Sequence, residues 1–464
     1  MFTIWNTKTR AREPFAPYHA PRVGIYSCGP TVYNPLTIGN WRTFIFDDVL
    51  VRTLRFFGYD VTWVMNVTDV GHLVGDGDEG MDKVANEATK RGMTSWELAR
   101  QLEAEFVAAM ERFHIQRPDK LPRATEHIAE QIALVQDLER KGFAYQTSDG
   151  IYFDTAKFPS YGSLSGQNLA DKEAGARVAI NPEKRNASDF ALWKFSPTTG
   201  AKRDMEWESP WGIGFPGWHI ECSAMSTQYL GQPFDIHTGG IDLIPVHHEN
   251  EIAQSEAAHD APLARYWMHG EFLLINGGRM GKSLGNAYTI EDIISHGYDP
   301  VVYRYYTLGA HYRSKLNFTW DGMEAASQAL HKLHAAARRM RLEGPVSTGF
   351  MDRFTHALED DLNIPQALAV VWELIKSDED PAVQGATLVR MDAVLGLGFQ
   401  EAIERAQTER ALVPPADILA LAETRQTARQ EKRWDESDVL RQQLRSLGWD
   451  IQDEKEGGYT LSRI

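Results

Sequence analysis

Between Gly24 and Val67 a short apolar run, a glycine-proline break, an amphipathic stretch and a second apolar run follow one another, and few folds accept that order. GIYSC (Gly24 to Cys28) predicts a strand that Gly29-Pro30 ends. Apolar positions at Phe44, Leu50, Leu54 and Phe57 predict a helix, and Gly58 stops it. Val61 to Val67 then predicts a second buried strand. Strand, helix, strand is what a parallel nucleotide-binding sheet requires, with its ligand outside the carboxyl ends of the strands.

That unit occupies a small part of 464 residues, about three times the ~150-residue domain prior, so two to four domains are expected. With 43% hydrophobic and 24% charged residues, the composition excludes a disordered chain. Two cysteines, Cys28 and Cys222, cannot build a disulfide framework, and thiols used so sparingly fit a reducing, cytoplasmic setting. No apolar run approaches ~18 residues, and MFTIWNTKTRAREPF lacks an apolar core after its charges, so neither a membrane span nor an export signal is expected. The formal charge of -16 argues against non-specific coating of nucleic acid or anionic membrane, while a specific nucleic-acid partner meeting a local basic stripe stays open.

Further along, Thr94-Ser95-Trp96-Glu97 reads as a capping box opening a helix with Leu98, Leu102, Phe106, Met110 and Phe113 on one face. AYQTSDGIYF (Ala144 to Phe153) reads as a β-hairpin, and Asp171 to Ala187 as polar loop. Residues of about 85 to 205 therefore look like an insertion into the nucleotide-binding domain. Sheet and loop motifs run from Trp207 to Asn286, after which the chain turns mostly helical, with joints at Leu342 to Gly349 and at Val413-Pro414-Pro415. Two helices, Ile418 to Arg433 and Asp435 to Leu447, precede two short strands flanking Gly457-Gly458.

His247 and Glu251 are four apart, which on a helix places an imidazole and a carboxylate on one face. Such a pair is more often a surface hydrogen bond than a ligand set. Cys28 and Cys222, each read as the end of a sheet element beside glycines, complete two thiolates, one imidazole and one carboxylate, a set that suits tetrahedral zinc. The competing reading is two inert buried cysteines.

Seven segments, in this order, resemble the cysteinyl-tRNA synthetases, a family of class I aminoacyl-tRNA synthetases: YSCGPTVYNPLTIGNWRTF (Tyr26 to Phe44), MNVTDVGH (Met65 to His72), DFALWK (Asp189 to Lys194), SPWGIGFPGWHIECSAM (Ser209 to Met225), HTGGIDLIPVHHENEIAQSEA (His237 to Ala257), GRMGKSLGN (Gly278 to Asn286) and HYRSKLNF (His311 to Phe318). ALEDDLNIPQAL (Ala357 to Leu368) and the closing helix and strands extend the likeness across nearly the whole chain. The resemblance implies an α/β fold: a Rossmann-like parallel sheet with an inserted α/β subdomain (1–310), a connecting helical bundle (311–412) and a small mixed α/β anticodon-binding domain (413–464). It implies that one zinc ion, held by Cys28, Cys222, His247 and Glu251, binds the sulfur of substrate cysteine, with Thr68 and Trp218 lining the same pocket. Thr37-Ile38-Gly39-Asn40 takes the place of the HIGH motif and Arg279-Met280-Gly281-Lys282-Ser283 that of KMSKS, so Thr37, Asn40, Arg279 and Lys282 are the expected catalytic residues and Gly39, Lys282 and Ser283 the expected ATP contacts, with Mg2+ accompanying ATP.

The chain departs from these motifs at Thr37, where the family has histidine, and at Gly281, where it has serine; Arg279 replaces a lysine. Phe215 stands where an arginine is usual, and Pro245-Val246 replaces Phe-Pro. Loss of a transition-state donor costs ~2.7–4 kcal/mol, so slower adenylation, or compensation by another residue, is expected. Arg425, Arg429 and Arg433 recur every four residues with Lys432 and Trp434 beside them, an expected basic face for tRNA phosphates, and Arg338, Arg339 and Arg341 form a second basic group on the preceding bundle. The expected activity is ATP-dependent charging of cysteine tRNA with L-cysteine by a cytoplasmic monomer. The alternatives are a cysteine ligase acting on a small amino-sugar and a weakly active zinc- and tRNA-binding paralogue.

Overall fold

A computed structural model describes residues 1–70, 83–166, 181–197, 203–281, 284–411, 414–454 and 458–464. Gly71-His72, Asp171 to Ile180, Lys282-Ser283, Val413 and Gly457, all singled out above, lie outside the described residues. Strand β1 (Arg22–Ser27), helix α1 (Ile38–Phe56) and strand β2 (Asp60–Met65) follow the order that the apolar pattern predicts. The strands pair in parallel from Arg22↔Asp60 to Ser27↔Met65. Ile25, Tyr26, Trp63 and Val64 are fully buried, as expected of strands covered on both faces.

Helix α2 (Ser95–Arg112) opens on its capping box, with Glu97 N donating to Thr94 Oγ1 (3.2 Å) and Thr94 N donating to Glu97 Oε2 (2.9 Å). Its stripe of Leu98, Leu102, Phe106 and Met110 is core. An antiparallel sheet follows, in the order β3 (Ala144–Gln146), β4 (Gly150–Phe153), β5 (Phe190–Phe195) and β6 (Gly214–Pro216), and β3 with β4 is the expected hairpin.

The stretch from Trp207 to Asn286, read above as sheet and loop, also contains two helices. These are α3 (Trp218–Leu230), ahead of β7 (Phe234–Gly240), and α4 (Glu249–His259), ahead of β8 (Ala264–Gly270). Residues His219 to Ser226 of α3 and Glu249 to Ser255 of α4 are all buried, so neither helix carries the one-sided apolar stripe by which a surface helix is recognised. Cys222 therefore lies inside α3 and not at the end of a sheet element. The parallel sheet has the order β8-β7-β1-β2, which sets the carboxyl ends of β7 and β1 side by side.

A further, small sheet, β9 (Leu273–Ile275), β10 (Gly278–Arg279) and β11 (Leu316–Phe318), has β9 at its centre, antiparallel to β10 and parallel to β11. The Arg42 guanidinium of α1 donates to the carbonyls of Glu271 (2.7 Å), Phe272 (2.6 Å), His311 (3.4 Å) and Ser314, tying that helix to the segments that enter β9 and β11. Apart from β11, the described elements between Ile290 and Ala411 are helical. Among the described residues, no helix is long and apolar enough to cross a membrane.

The described chain divides into two compact units, one of Met1–Leu330, Asp352–Val370 and Ala393–Leu397, the other of His331–Met351, Val371–Asp392 and Gly398–Ile464. In the second, α5 (Ala416–Gln430) and α6 (Trp434–Ser446) join the hairpin of β12 (Trp449–Asp453) and β13 (Tyr459–Arg463) around Ile418, Ala422, Leu444, Trp449 and Ile451. The expected basic face is largely neutralised within this unit. Arg425 is 1% exposed and donates to both carboxylate oxygens of Asp453, Arg429 lies 3.2 Å from the same carboxylate, and Arg433 pairs with Glu431 and Glu436. Arg338 and Arg341 likewise pair with Glu409 and Asp380. A four-residue spacing records which residues share a helix face, but not the acids that other elements bring to it.

Candidate active site and metal centre

Cys28 is the first residue beyond β1, and the backbone around it is tightly held. A Cβ on Gly29 would lie 1.8 Å from the Asn66 carbonyl oxygen, so only glycine lets the chain after β1 approach the chain after β2 this closely. Gly29 N donates to Asn66 Oδ1 (2.9 Å), Thr68 N donates to Pro30 O (2.9 Å) and Val32 N donates to Thr68 O (3.0 Å). The Thr68 hydroxyl is fixed in turn, accepting from Asn66 Nδ2 (3.0 Å) and donating to Glu221 Oε2 (3.1 Å).

Helix α3 brings Cys222 to this point, and α4 with the π-helical turn Ile244–His248 before it brings Glu251 and His247. The four side chains present one sulfur, nitrogen or oxygen atom each, all within 4.8 Å of one another and all buried. A tetrahedral site with ligand distances of about 2.0–2.3 Å needs donors about 3.3–3.8 Å apart. His247 Nε2 lies 2.9 Å and Cys28 Sγ 3.7 Å from Glu251 Oε1, so the donor set fits such an ion with small adjustments. Burial and the hydrogen bond to Cys222 push the Cys28 thiol up, while that same bond draws Cys222 down, so Cys222 is the more acidic of the two thiols. Burial opposes charge on His247, but the Glu251 carboxylate and Cys222 outweigh it and push the imidazole up to about 10. Burial likewise opposes charge on Glu251, and His237 and His247 together hold its carboxyl well below the usual range.

Behind these four stands a set of histidines that sequence reasoning missed. His237 Nε2 lies 2.9 Å from Glu251 Oε2, and the ring is stacked on Trp267 (4.4 Å between centroids, 16° between planes). His248 connects Cys28 Sγ (3.3 Å) to His269 Nε2 (2.8 Å), and His269 Nδ1 reaches the Thr7 hydroxyl (2.8 Å). His219 Nδ1 lies 3.0 Å from His247 Nδ1. Burial holds His248 well below its ordinary value and His269 down to about 3, so both are neutral. A second four-donor combination, Cys28 with His237, His248 and Glu251, also brings its atoms within 4.8 Å of one another. Only Cys28, Cys222 and His247 open onto the adjoining cavity, however, and His237 and His248 do not. The adjacent histidine pair in VHHEN was the one available sequence signal for His248.

The cavity measures about 800 Å³ and runs from Cys28, Cys222, His247, Trp218 and Thr68 to Thr37, Gly39, Asn40, Arg279 and Met280. Trp218 packs on the His247 ring at 4.5 Å. At the far end, Thr37 caps α1, and its N (3.0 Å) and Oγ1 (2.8 Å) both donate to Asn40 Oδ1. Asn40 is exposed and lines the cavity, at a helix start that has no acid in its first turn. A Cβ on Gly39 would lie 2.3 Å from Met280 Cε, so the missing side chain leaves the space in which that thioether rests. Asn286 Oδ1 accepts from Gly281 N (2.8 Å) and its Nδ2 donates to Arg279 O (3.0 Å), bracing the loop. Phe215, the substituted arginine position, carries the Arg203 guanidinium 3.6 Å above its ring.

Comparison with known proteins matches this arrangement over the whole chain. The family model for the "tRNA synthetases class I (C) catalytic domain" covers residues 14–328, a "DALR domain" 353–400, and a "Cysteinyl-tRNA ligase anticodon binding domain" 414–459. Cysteine--tRNA ligase 1 of Burkholderia lata is 47% identical over 98% of this chain and 95% of its own length, and the Cysteine--tRNA ligase of Treponema denticola is 41% identical over 97% of each. Among solved structures, Mycobacterium tuberculosis methionyl-tRNA synthetase in complex with methionyl-adenylate shares the fold at a TM-score of 0.57 and 16% identity, over 85% of this chain and 94% of that one. With Cys28 at the end of a parallel strand, with Cys222, His247 and Glu251 brought to it by helical segments beside a nucleotide-sized cavity, and with relatives of this identity along its full length, the chain belongs to the cysteinyl-tRNA synthetase family of class I aminoacyl-tRNA synthetases.

Proposed function

We propose that this chain activates L-cysteine with ATP to form cysteinyl-adenylate and passes the cysteinyl group to a terminal ribose hydroxyl of cysteine tRNA. The observation that carries this reading is the sulfur-rich donor quartet at one end of a cavity whose other end is the amino terminus of α1. Cys28, Cys222, His247 and Glu251 would hold zinc, which when bound supplies a thiophilic Lewis acid for the sulfur of the substrate. Shape alone separates cysteine from serine by only ~1–3 kcal/mol, too little for a synthetase without an editing domain.

The remaining work falls to side chains of the protein. Loading requires both cysteines as thiolates and His247 neutral, so the proton on His247 and any proton on the two thiols must leave. Trp218 on the face of His247, and Thr68 held between Asn66 and Glu221, shape the amino-acid end. The Asn40 side-chain amide, the Gly39 backbone amide at the start of α1 and the Arg279 guanidinium are the donors for ATP phosphates, which Mg2+ accompanies; Lys282 and Ser283 take the same role by their place in the motif. Cysteine carboxylate attacks the α-phosphate and pyrophosphate leaves, so fixed donors and alignment carry the step and no protein nucleophile is needed.

The division into catalytic (1–310), helical (311–412) and anticodon-binding (413–464) parts, a monomeric state and a cytoplasmic setting belong to the same proposal. The test is pyrophosphate exchange and aminoacylation of cysteine tRNA, with serine as competitor and metal measured on the same sample. Exchange that is indifferent to cysteine rejects the reading. Transfer to an amine with none to tRNA selects the amino-sugar ligase, against which residues 414–459 speak.

A further inference from the structure

At the end of the cavity assigned to ATP, Thr37 has no hydrogen left to offer. Its backbone N and its hydroxyl both donate to Asn40 Oδ1, so the residue closes a helix cap where a phosphate donor would be wanted. A cation outside both signature segments lines the same cavity. Lys315 is exposed to it, and among the described residues it has neither an ion-pair nor a hydrogen-bond partner.

The small sheet explains how it arrives there. Leu274 of β9 is paired with Arg279 on one side and with Asn317 on the other. Paired residues share a face, so Asn317 stands on the same side as Arg279, and Lys315, the residue just before β11, lines the same cavity as Arg279. The two cations thus flank β9 and look into one space, whose floor Arg42 ties to α1 through the carbonyls of Phe272 and Ser314.

We propose that Lys315 is a further phosphate-binding residue of the activation site, supplying to the ATP polyphosphate the donor that Thr37 withholds. This rests on the reading of the cavity as an ATP site. A single charge-assisted contact at an exposed position is worth about tenfold in affinity.

The test compares the full-length wild type with Lys315→Gln and Lys315→Arg. Affinity for ATP with Mg2+ is measured by calorimetry at several salt concentrations, and cysteine-dependent pyrophosphate exchange is measured beside it. Lys315→Gln should bind ATP about tenfold more weakly, with a shallower salt dependence and a raised KM for ATP, while KM for cysteine and metal content stay unchanged. Lys315→Arg should recover most of the loss. Equal ATP affinity and equal salt dependence in Lys315→Gln overturn the assignment. ATP binding that depends on Lys315 in a protein without cysteine-dependent exchange supports the assignment and rejects the cysteine reading. A wild type that does not bind ATP removes both.

Discussion

Replacing Cys222 by serine separates the two donor combinations that the geometry allows. Cys222 is 1% exposed within α3, and serine is nearly isosteric there, beside Ser223 and Ser226, so the helix should persist. A four-ligand zinc site is worth about 10–16 kcal/mol in apparent binding free energy at neutral pH, roughly 2.5–4 kcal/mol per ligand if shared evenly. Removing one thiolate should then weaken zinc binding on the order of 10²–10³-fold. His237 and His248 touch the ligands Glu251 and Cys28 from behind, and removing a partner of that kind costs about 10–100-fold. Competition against a chromogenic chelator measures both losses. Cobalt substitution adds an independent reading, because the sulfur-to-metal charge-transfer band should fall to about half in Cys222→Ser and keep its intensity in His248→Asn. If Cys222→Ser retains tight metal with an unchanged band while His237→Asn and His248→Asn lose it, the ion belongs to Cys28, His237, His248 and Glu251, and the assignment made here is wrong.

Two further outcomes follow from single residues. Thr37→His should raise the rate of adenylation about 10- to 100-fold in pyrophosphate exchange, by restoring a donor aimed at phosphate; it should cost about 0.5–2 kcal/mol in a thermal melt, because the Thr37 side chain takes part in the capping box with Asn40. An unchanged rate would remove this segment from the phosphate site. Asp47 of α1 is fully buried, and burial pushes its carboxyl from 3.8 up to about 7 against the smaller pull of the Thr238 and Ser27 hydroxyls. Because the folded value is the higher one, the wild type loses stability as pH rises from about 4 through 7, by up to about 4 kcal/mol. Asp47→Asn should therefore melt above the wild type at pH 8 and close to it at pH 4, and equal gains at both pH values would refute the titration.

The order of strand, helix and strand near the amino terminus was legible because each element has its own pattern: a continuous apolar run for a strand covered on both faces, and a repeat of three and four for α1 and α2. Helix α3 was not legible, and α4 showed only in the four-residue spacing of His247 and Glu251, since burial on every side erases the contrast that marks a face. That is why Cys222 was placed on the wrong type of element although its role as a donor was anticipated. The basic stripe of α5 shows the reverse case, a pattern that was plain in the sequence and altered by its surroundings. Asp453, 28 residues beyond Arg425, takes up the guanidinium that appeared free for RNA.

The sequence by itself determined the kinds of chemistry available to this chain. Two cysteines, a histidine four residues before a glutamate, a glycine-bearing helix start and a basic loop are local properties, carried by residue identity and short spacing. Only the tertiary structure decided that positions 28, 222, 247 and 251 meet within 4.8 Å, that four further histidines stand behind them, and that Lys315 shares a cavity with Arg279. Such convergence depends on strand order. Because β7 and β1 are neighbours in the sheet, chain segments some two hundred residues apart end side by side, and no local pattern encodes that adjacency.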